Sequence, residues 1–362
     1  MATIAAVQPA KPVCDSHQTV QCADLLSSVA PGNGKDAWDW AVTQLPAVDN
    51  LLKRVANHAG PLQISARYHL AASGGQFRAR LALAMAYCLG IPAERIIPAA
   101  AACELLHNAS LVHDDLQDRD TMRRGQYTVW KRFGEDIALN LGDYFLTQAQ
   151  GLLLETPSSA ESRLQLTRLF TRRISESIRG QVLSARFTPE FTVADYESMV
   201  RAKTGAFFAL PAECAMVLAD TPSTLKSAVV TTLEQLGVAY QIQDDLSDFM
   251  GSKVGREAGS DLRAGVVNAV LVQCAVSQQQ PLLEQLMIFL RQNRGQATTT
   301  EITRWARLLC ESTAFEQTLN QLESVQTRVT EHLKKLPTLL AQTIIEAGGQ
   351  FKSASELRPS DS

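Results

Sequence analysis

Two short acidic clusters hold the residues whose types and spacing point most directly to chemistry. Each has the pattern Asp-Asp-x-x-Asp, and their members are Asp114, Asp115 and Asp118 in the first cluster and Asp244, Asp245 and Asp248 in the second. Residues four apart share one face of a helix, so each cluster aims two carboxylates at one point. Because such carboxylates repel each other unless a cation lies between them, the clusters predict a cation site.

The sequence that leads to each cluster is apolar. "ACELLHNASLV" precedes the first and "LEQLGVAYQI" precedes the second. A solvated acidic helix face would explain one cluster, but two matching clusters on apolar helices favour carboxylates at the mouth of an apolar cavity. Mg²⁺ prefers a few carboxylates, waters and phosphate oxygens. The pattern therefore predicts a magnesium and diphosphate site above a pocket for an isoprenoid tail.

Helices must position these clusters, because helical periodicity dominates the chain and strand patterns with hairpin turns are nearly absent. We expect an all-α fold of about a dozen helices, with the helix of the first cluster beginning at Pro98. We expect a single helical domain over residues 36–350, between a poorly ordered extension at 1–35 and a polar tail at 351–362.

Composition narrows the class of partner and the compartment. The 362 residues carry a net charge of −3 with interspersed acidic and basic residues, which argues against nucleic-acid binding and favours a small-molecule substrate. The seven cysteines lack metal-ligand spacing, as in a reduced, cytoplasmic protein. No apolar segment approaches the roughly twenty residues of a membrane span.

Several stretches together resemble one known family. "LLHNASLVHDDLQDRDTMRRGQ", "YQIQDDLSDF" and "RAKTGAFF", with the weaker "SGGQFRARL" and "GREAGSDLRAG", are similar to the trans-isoprenyl diphosphate synthases, or polyprenyl synthases, over about residues 50–280. Farnesyl and geranylgeranyl diphosphate synthases belong to this family. The resemblance implies antiparallel helices around a deep central cavity, a homodimer, and Mg²⁺-dependent condensation of an allylic prenyl diphosphate with isopentenyl diphosphate.

The resemblance also implies roles for individual residues. Three Mg²⁺ ions would be ligated directly by Asp114, Asp118 and Asp244, while Asp115, Asp245 and Asp248 complete the cage through water or hydrogen bonds. The allylic diphosphate would bind Arg123, Lys203, Thr204 and Gln241, and isopentenyl diphosphate would bind Arg124 and His107. The residues expected to carry catalysis are Asp114, Asp115, Asp118, Lys203 and Asp244.

Two segments depart from the family pattern. The family reads Gly-Gly-Lys-Arg-x-Arg where this chain has "GGQFRAR", so Gln76, Arg78 and Arg80 are the candidates for the isopentenyl site, with the arginines offset by one position. The family's Gly-Lys-x-Thr is "GVVN" here, with Val266 at the lysine position. The residues for the allylic diphosphate match the family pattern, whereas those for isopentenyl diphosphate match it only in part. Two alternatives therefore stay open: a terpene cyclase or other prenyl-diphosphate-ionising enzyme, and a non-catalytic subunit of a heteromeric synthase.

Small residues precede the first cluster at the positions where short-chain synthases of the family have aromatic rings. These residues are Ala109 and Ser110, five and four positions before Asp114. Their size predicts a product of twenty carbons or more, geranylgeranyl diphosphate first, with a deeper stop at Leu106, Cys103 or Tyr87. Close packing of helices is the other explanation for the small pair.

Overall fold

The computed structural model describes residues 33–72, 74–250, 258–277, 280–293, 295–349 and 357. Most of the expected extension at 1–35 and of the expected tail at 351–362 lies outside these described residues. Within them, no helix has both the length and the apolar character needed to cross a membrane.

The first half of the described chain contains seven α-helices. They are α1 (Gly34–Asn57), α2 (Gln63–Ala71), α3 (Phe77–Cys88), α4 (Ala93–Gln117), α5 (Val129–Phe133), α6 (Glu135–Leu154) and α7 (Ala160–Ser184). A 3-10 turn at Gly60–Leu62 precedes α2. The two-residue strands β1 (Met122–Arg123) and β2 (Gln126–Tyr127) pair antiparallel after α4. This hairpin is the sheet of the described chain, so the all-α prediction is confirmed.

The second half adds nine α-helices and a π-turn. They are α8 (Val193–Val200), the π-turn (Arg201–Gly205), α9 (Ala206–Leu218), α10 (Ser223–Phe249), α11 (Ser260–Ala264), α12 (Ala269–Val276), α13 (Gln280–Asn293), α14 (Thr299–Cys310), α15 (Thr313–Leu333) and α16 (Thr338–Gly348). Several are short, which is why the described part has sixteen helices where about a dozen were expected.

Apolar side chains form two core clusters that meet at α10. The first joins α1, α3, α4, α6 and α9, and the second joins α8, α12, α14 and α15 to the C-terminal half of α10. Helix α4 packs against α6, α3, α9 and α1, so it runs through the middle of the bundle. The long helices that carry the two acidic clusters are therefore held by packing on several sides.

Helix α4 begins earlier than the sequence suggested. It starts at Ala93, after Pro92, and Pro98 lies inside it rather than at its start. Proline lacks the N–H that would bond four residues back, which made Pro98 resemble a boundary. Burial of Pro98 and of the alanines that follow it keeps the helix intact across this position.

Candidate active site

The two acidic clusters lie at corresponding ends of α4 and α10. Asp114 and Asp115 belong to the last turn of α4 and Asp118 is its C-cap, while Asp244 lies near the end of α10. Along the otherwise buried α4, the exposed and half-buried positions His107, Leu111, Asp114 and Asp118 follow one face. The space beside this face is called the cleft from here on, and the charge of Lys203 reaches Asp118 from its other side.

Two of the three aspartates of the first cluster face the cleft. Asp114 is half-buried and Asp118 is exposed, whereas Asp115 is buried. Asp115 accepts a hydrogen bond from Arg123 Nε at 2.6 Å, and Arg123 Nη2 lies 2.6 Å from the same oxygen. Arg123 therefore holds Asp115 in this structure, and part of its guanidinium stays exposed beside the cleft.

Charges from both walls of the cleft act on Asp118. Desolvation by the surrounding protein, then Asp114, raises the pKa of Asp118 to about 6, and Lys203 opposes the rise. Asp261 of α11 raises it further. Lys203 lies in the π-turn and the Asp261 N–H bonds to Asp248 of the second cluster, so Asp118 lies within reach of charges from both elements.

The second cluster is divided in the same way. Asp244 is half-buried, while Asp245 and Asp248 are both 1 % exposed. Asp248 accepts hydrogen bonds from Ser260 Oγ at 2.5 Å and from the Asp261 N–H at 3.1 Å. The expectation that Asp244 and Asp248 aim at one point is therefore wrong, because the segment that forms α11 covers Asp248.

Asp245 is surrounded by donors. Its Oδ2 accepts hydrogen bonds from Tyr196 Oη at 2.8 Å and from the Ala269 N–H at 2.7 Å. Its Oδ1 accepts from Gln241 Nε2 at 2.9 Å. Burial raises the pKa of Asp245 to about 8, with a further rise from Asp261, and these three hydrogen bonds oppose the shift.

The π-turn places Lys203 and Thr204 beside the second cluster. Lys203 Nζ donates to Ser184 Oγ at 3.3 Å, and Thr204 Oγ1 donates to Gln241 Oε1 at 3.0 Å. Neighbouring glycines permit this geometry, since a Cβ on Gly180 would lie 2.5 Å from the Lys203 backbone nitrogen. A π-turn inserts one extra residue into a helix and is frequent at functional sites.

A group of basic residues lies deeper, around His107. Burial, followed by Arg78 and Arg124, lowers the pKa of His107 well below its ordinary value, so its imidazole is neutral near pH 7. Arg124 Nη1 donates to the Ala72 carbonyl at 2.8 Å. Burial also lowers the pKa of Arg78, whose charge lies near Glu104 and Tyr240. The structure thus brings Arg78, Arg124 and His107 together.

Gln76 and Arg80 turn away from this group. Gln76 is buried, has a positive φ of 47°, and donates from Nε2 to Asp49 of α1 at 2.5 Å. The Arg80 guanidinium lies over the Trp38 ring, 4.9 Å from its centroid. Arg78 instead faces the interior, 6.0 Å from the centroid of Phe208. Of the three candidates in "GGQFRAR", Arg78 is the one near His107.

The two small residues before the first cluster lie on different sides of α4. At about 100° per residue, Ser110 is about 40° from Asp114 around the helix and Ala109 is about 140° away. Ser110 is half-buried and donates to the His107 carbonyl at 2.8 Å. Ala109 is fully buried in the first core cluster. Ser110 therefore lies beside the cleft face, and Ala109 packs between helices.

Sequence reasoning missed three residues that hold the site. Tyr196 and Ala269 bond to Asp245, and the buried Glu104 of α4 accepts from the Ala79 N–H at 3.4 Å near the start of α3. No spacing in the sequence connects residues so far apart, and Tyr196 looks like any aromatic of an amphipathic helix. In the described part of the chain, no three acidic, histidine or cysteine side chains form a closed metal-binding group.

Comparison with known proteins gives one consistent result. The family model described as "Polyprenyl synthetase" matches residues 61–304. A short chain isoprenyl diphosphate synthase of Methanocaldococcus jannaschii is 29 % identical over 63 % of this chain and 70 % of its own length. A (2E,6E)-farnesyl diphosphate synthase of Mycobacterium bovis is 34 % identical over 60 % of this chain and 64 % of its own length.

Solved structures share the fold over nearly their whole length. A polyprenyl synthase from Caulobacter crescentus, solved with calcium and isoprenyl diphosphate, has a TM-score of 0.77 at 24 % identity, covering 91 % of this chain and 99 % of its own. A polyprenyl synthetase from Streptomyces coelicolor has a TM-score of 0.75 at 25 % identity, covering 88 % and 99 %. The enzyme class inferred from the sequence, a trans-prenyltransferase, is confirmed. The chain belongs to the polyprenyl synthetase family.

Proposed function

We propose that the protein condenses an allylic prenyl diphosphate with isopentenyl diphosphate in the presence of Mg²⁺ and releases a trans-prenyl diphosphate of twenty carbons or more. One observation carries this proposal. Asp118 of the first cluster lies close enough to Lys203 and Asp261 on the opposite wall for their charges to shift its pKa. A diphosphate between the two walls would meet carboxylates for metal ions and an ammonium group together.

Asp114, Asp118 and Asp244 suit Mg²⁺, because their carboxylates border the cleft while the other aspartates of the clusters are buried. A few carboxylates that leave room for water and phosphate oxygens match the preference of Mg²⁺. When bound, Mg²⁺ would supply positive charge that stabilises the departing diphosphate. We propose three ions for each active site, with Asp115, Asp245 and Asp248 holding the helix ends that carry the ligands.

Lys203 and Arg123 would add fixed positive charge where the allylic C–O bond breaks, and Thr204 and Gln241 would orient the same diphosphate. Below the aspartates, α4 carries the half-buried Leu111, and the exposed ring of Tyr240 on α10 lies against Phe208, with 5.5 Å between the ring centroids. Such walls exclude water from the allylic carbocation. The double bond of the second substrate would then attack that cation, and the departed diphosphate would accept the proton that the new chain loses.

We propose that isopentenyl diphosphate binds at Arg78, Arg124 and His107. In the described part of the chain, the buried Nε atoms of Arg78 and Arg80 both have no hydrogen-bond partner, and of the two it is the Arg78 charge that acts on His107. A buried donor without a partner is costly, so an arriving anion is favoured at this position. Gln76 bonds to α1 and Arg80 packs on it. Arg78 is therefore the residue left to replace the missing lysine.

The experiment that tests the reaction uses the purified protein with Mg²⁺, isopentenyl diphosphate and, separately, dimethylallyl, geranyl and farnesyl diphosphate. Mass spectrometry then identifies the products. Longer diphosphates support condensation. A hydrocarbon or alcohol formed without consumption of isopentenyl diphosphate would instead show a cyclase or another ionising enzyme, and absence of turnover would favour a non-catalytic subunit.

The homodimer and the cytoplasmic location stay proposals drawn from the family resemblance. Light scattering after size-exclusion chromatography measures the first. Fractionation of the source cells measures the second.

A further inference from the structure

Tyr196 contacts the active site from behind and belongs to neither acidic cluster. It lies on α8, begun by a capping box between Thr192 and Asp195, and its ring is fully buried in the second core cluster. Its hydroxyl nevertheless has a polar partner, since Tyr196 Oη donates a hydrogen bond to Asp245 Oδ2 at 2.8 Å. A hydroxyl placed so deep is stable only when its hydrogen bond is made.

The hydrogen bond from Tyr196 is part of a chain that reaches the π-turn. Asp245 accepts from Tyr196, from the Ala269 N–H and from Gln241 Nε2. The other end of the Gln241 amide, Oε1, accepts from Thr204 Oγ1. Asp245 therefore fixes which way the Gln241 amide points. That orientation in turn fixes Thr204, the neighbour of Lys203.

The same bonds set the rotation of the end of α10. Successive helix residues point about 100° apart, so anchoring the Asp245 carboxylate against α8 and α12 leaves Asp244 to face the cleft. Asp248 adds a second anchor through Ser260 and the Asp261 N–H. The second cluster thus consists of one residue at the cleft and two residues that hold it there.

We propose that Tyr196 is a positioning residue for the condensation, acting through Asp245 to orient Asp244 toward Mg²⁺ and Gln241 toward the allylic diphosphate. This inference rests on the proposed function. It predicts weaker binding of metal and allylic diphosphate when the hydroxyl is removed, and unchanged binding of isopentenyl diphosphate, whose site at Arg78 lies on other helices. A residue that only fills the core would affect stability alone.

The test replaces Tyr196 by Phe, which keeps the buried ring and removes the hydroxyl. Tyr144→Phe is the matched control. The Tyr144 Oη donates to the carbonyl of Val55 at 2.9 Å, and Val55 lies on α1 in the first core cluster. Calorimetry with Mg²⁺ and inorganic diphosphate measures binding without any turnover. We expect up to about tenfold weaker binding for Tyr196→Phe, the upper end of what one buried hydrogen bond contributes, and wild-type binding for the control.

Steady-state kinetics supply the second readout. Tyr196→Phe should raise the KM for the allylic substrate and the Mg²⁺ concentration for half-maximal rate, and leave the KM for isopentenyl diphosphate unchanged. Combined with Asp245→Leu, which removes both acceptor oxygens at similar volume, its effect on Mg²⁺ and diphosphate binding should be far smaller than in the wild type, because the two residues act through one bond.

Wild-type binding by a folded Tyr196→Phe protein, with a lower melting temperature as its main defect, would overturn the positioning role. So would additive effects in the double variant. Calorimetry does not need condensation. A wild-type protein that binds Mg²⁺ with diphosphate but forms no elongated prenyl diphosphate would therefore refute the proposed function and leave the positioning role intact.

Discussion

Ser110→Phe should shorten the product. Ser110 lies four residues before Asp114, about 6 Å lower along α4 and about 40° around it. It is half-buried beside the cleft face, so a phenyl ring at this position enters the path that a tail takes from the metal site. Among the residues that the structure describes, its hydroxyl bonds only within α4, to the His107 carbonyl, so its loss leaves no partner there on another helix.

The size of the effect follows from the apolar surface that the tail loses. Each buried CH₂ contributes about 0.8 kcal/mol, so one five-carbon unit that finds no room forfeits about 4 kcal/mol. Such a loss slows the next condensation by about three orders of magnitude. We therefore expect the product distribution to shift by at least one isoprene unit, while the first condensation stays close to the wild-type rate.

The assay incubates each variant with dimethylallyl, geranyl or farnesyl diphosphate, isopentenyl diphosphate and Mg²⁺, and separates the products by length. Ser110→Ala is the matched control and should keep the wild-type distribution. Ala109→Phe tests the opposite side of the helix, where a fully buried residue has no free space. There we expect overpacking that destabilises the fold by about 1–3 kcal/mol, without a specific shortening.

An active Ser110→Phe enzyme with the wild-type distribution would refute the reasoning, because the tail would then run along another wall. Equal shortening by Ala109→Phe would refute it as well. That result would mean that the two sides of α4 are not distinguished as the structure places them.

Three further predictions concern the metal site, the scaffold and the π-turn. Asp118 is protonated below its pKa of about 6, and only its carboxylate form binds Mg²⁺. The Mg²⁺ concentration for half-maximal rate should therefore rise about tenfold per pH unit below pH 6. A flat profile from pH 5 to 7 would contradict this. Arg173 is 4 % exposed and bonds to three glutamates, so Arg173→Met should lower the free energy of unfolding in urea by about 3–5 kcal/mol. The control Arg307→Ala removes a pair that is 80 % exposed on its arginine side and should leave the free energy of unfolding nearly unchanged, so equal losses would be evidence against the buried network. Gly180→Ala would push a Cβ against the Lys203 backbone and should lower kcat in a folded protein, whereas wild-type kcat would show that the turn tolerates the shift.

The sequence predicted what depends on local pattern. Helical periodicity and the apolar runs before Asp114 and Asp244 were enough for an all-α fold with both clusters on helices. The i, i+4 rule also placed Asp114 and Asp118 on one face, as the structure has them. These properties depend on residues close together in the chain, and the period of a helix constrains them directly.

The same rule failed for Asp248, and the reason is tertiary. Its carboxylate is turned into the protein by Ser260 and the Asp261 N–H, which follow it by more than ten residues. Asp245 is anchored by Tyr196, which lies on α8 and precedes it by 49 residues. Helical spacing gives the direction of a side chain but not the element that covers it. The aspartates that reach the cleft could therefore be identified only in the folded chain.

Gln76 determines which way the two offset arginines of "GGQFRAR" face. Its left-handed conformation, costly by about 1–3 kcal/mol for a residue with a Cβ, sets α3 to begin at Phe77, and the hydrogen bond to Asp49 holds it there. With that start, Arg80 faces Trp38 on α1, while Arg78 faces the interior near His107. A lysine at position 76 would meet the same carboxylate of Asp49 rather than a substrate. Under the proposed function, Arg78 on α3 would therefore supply the positive charge for the second diphosphate that a lysine in the preceding loop would otherwise give.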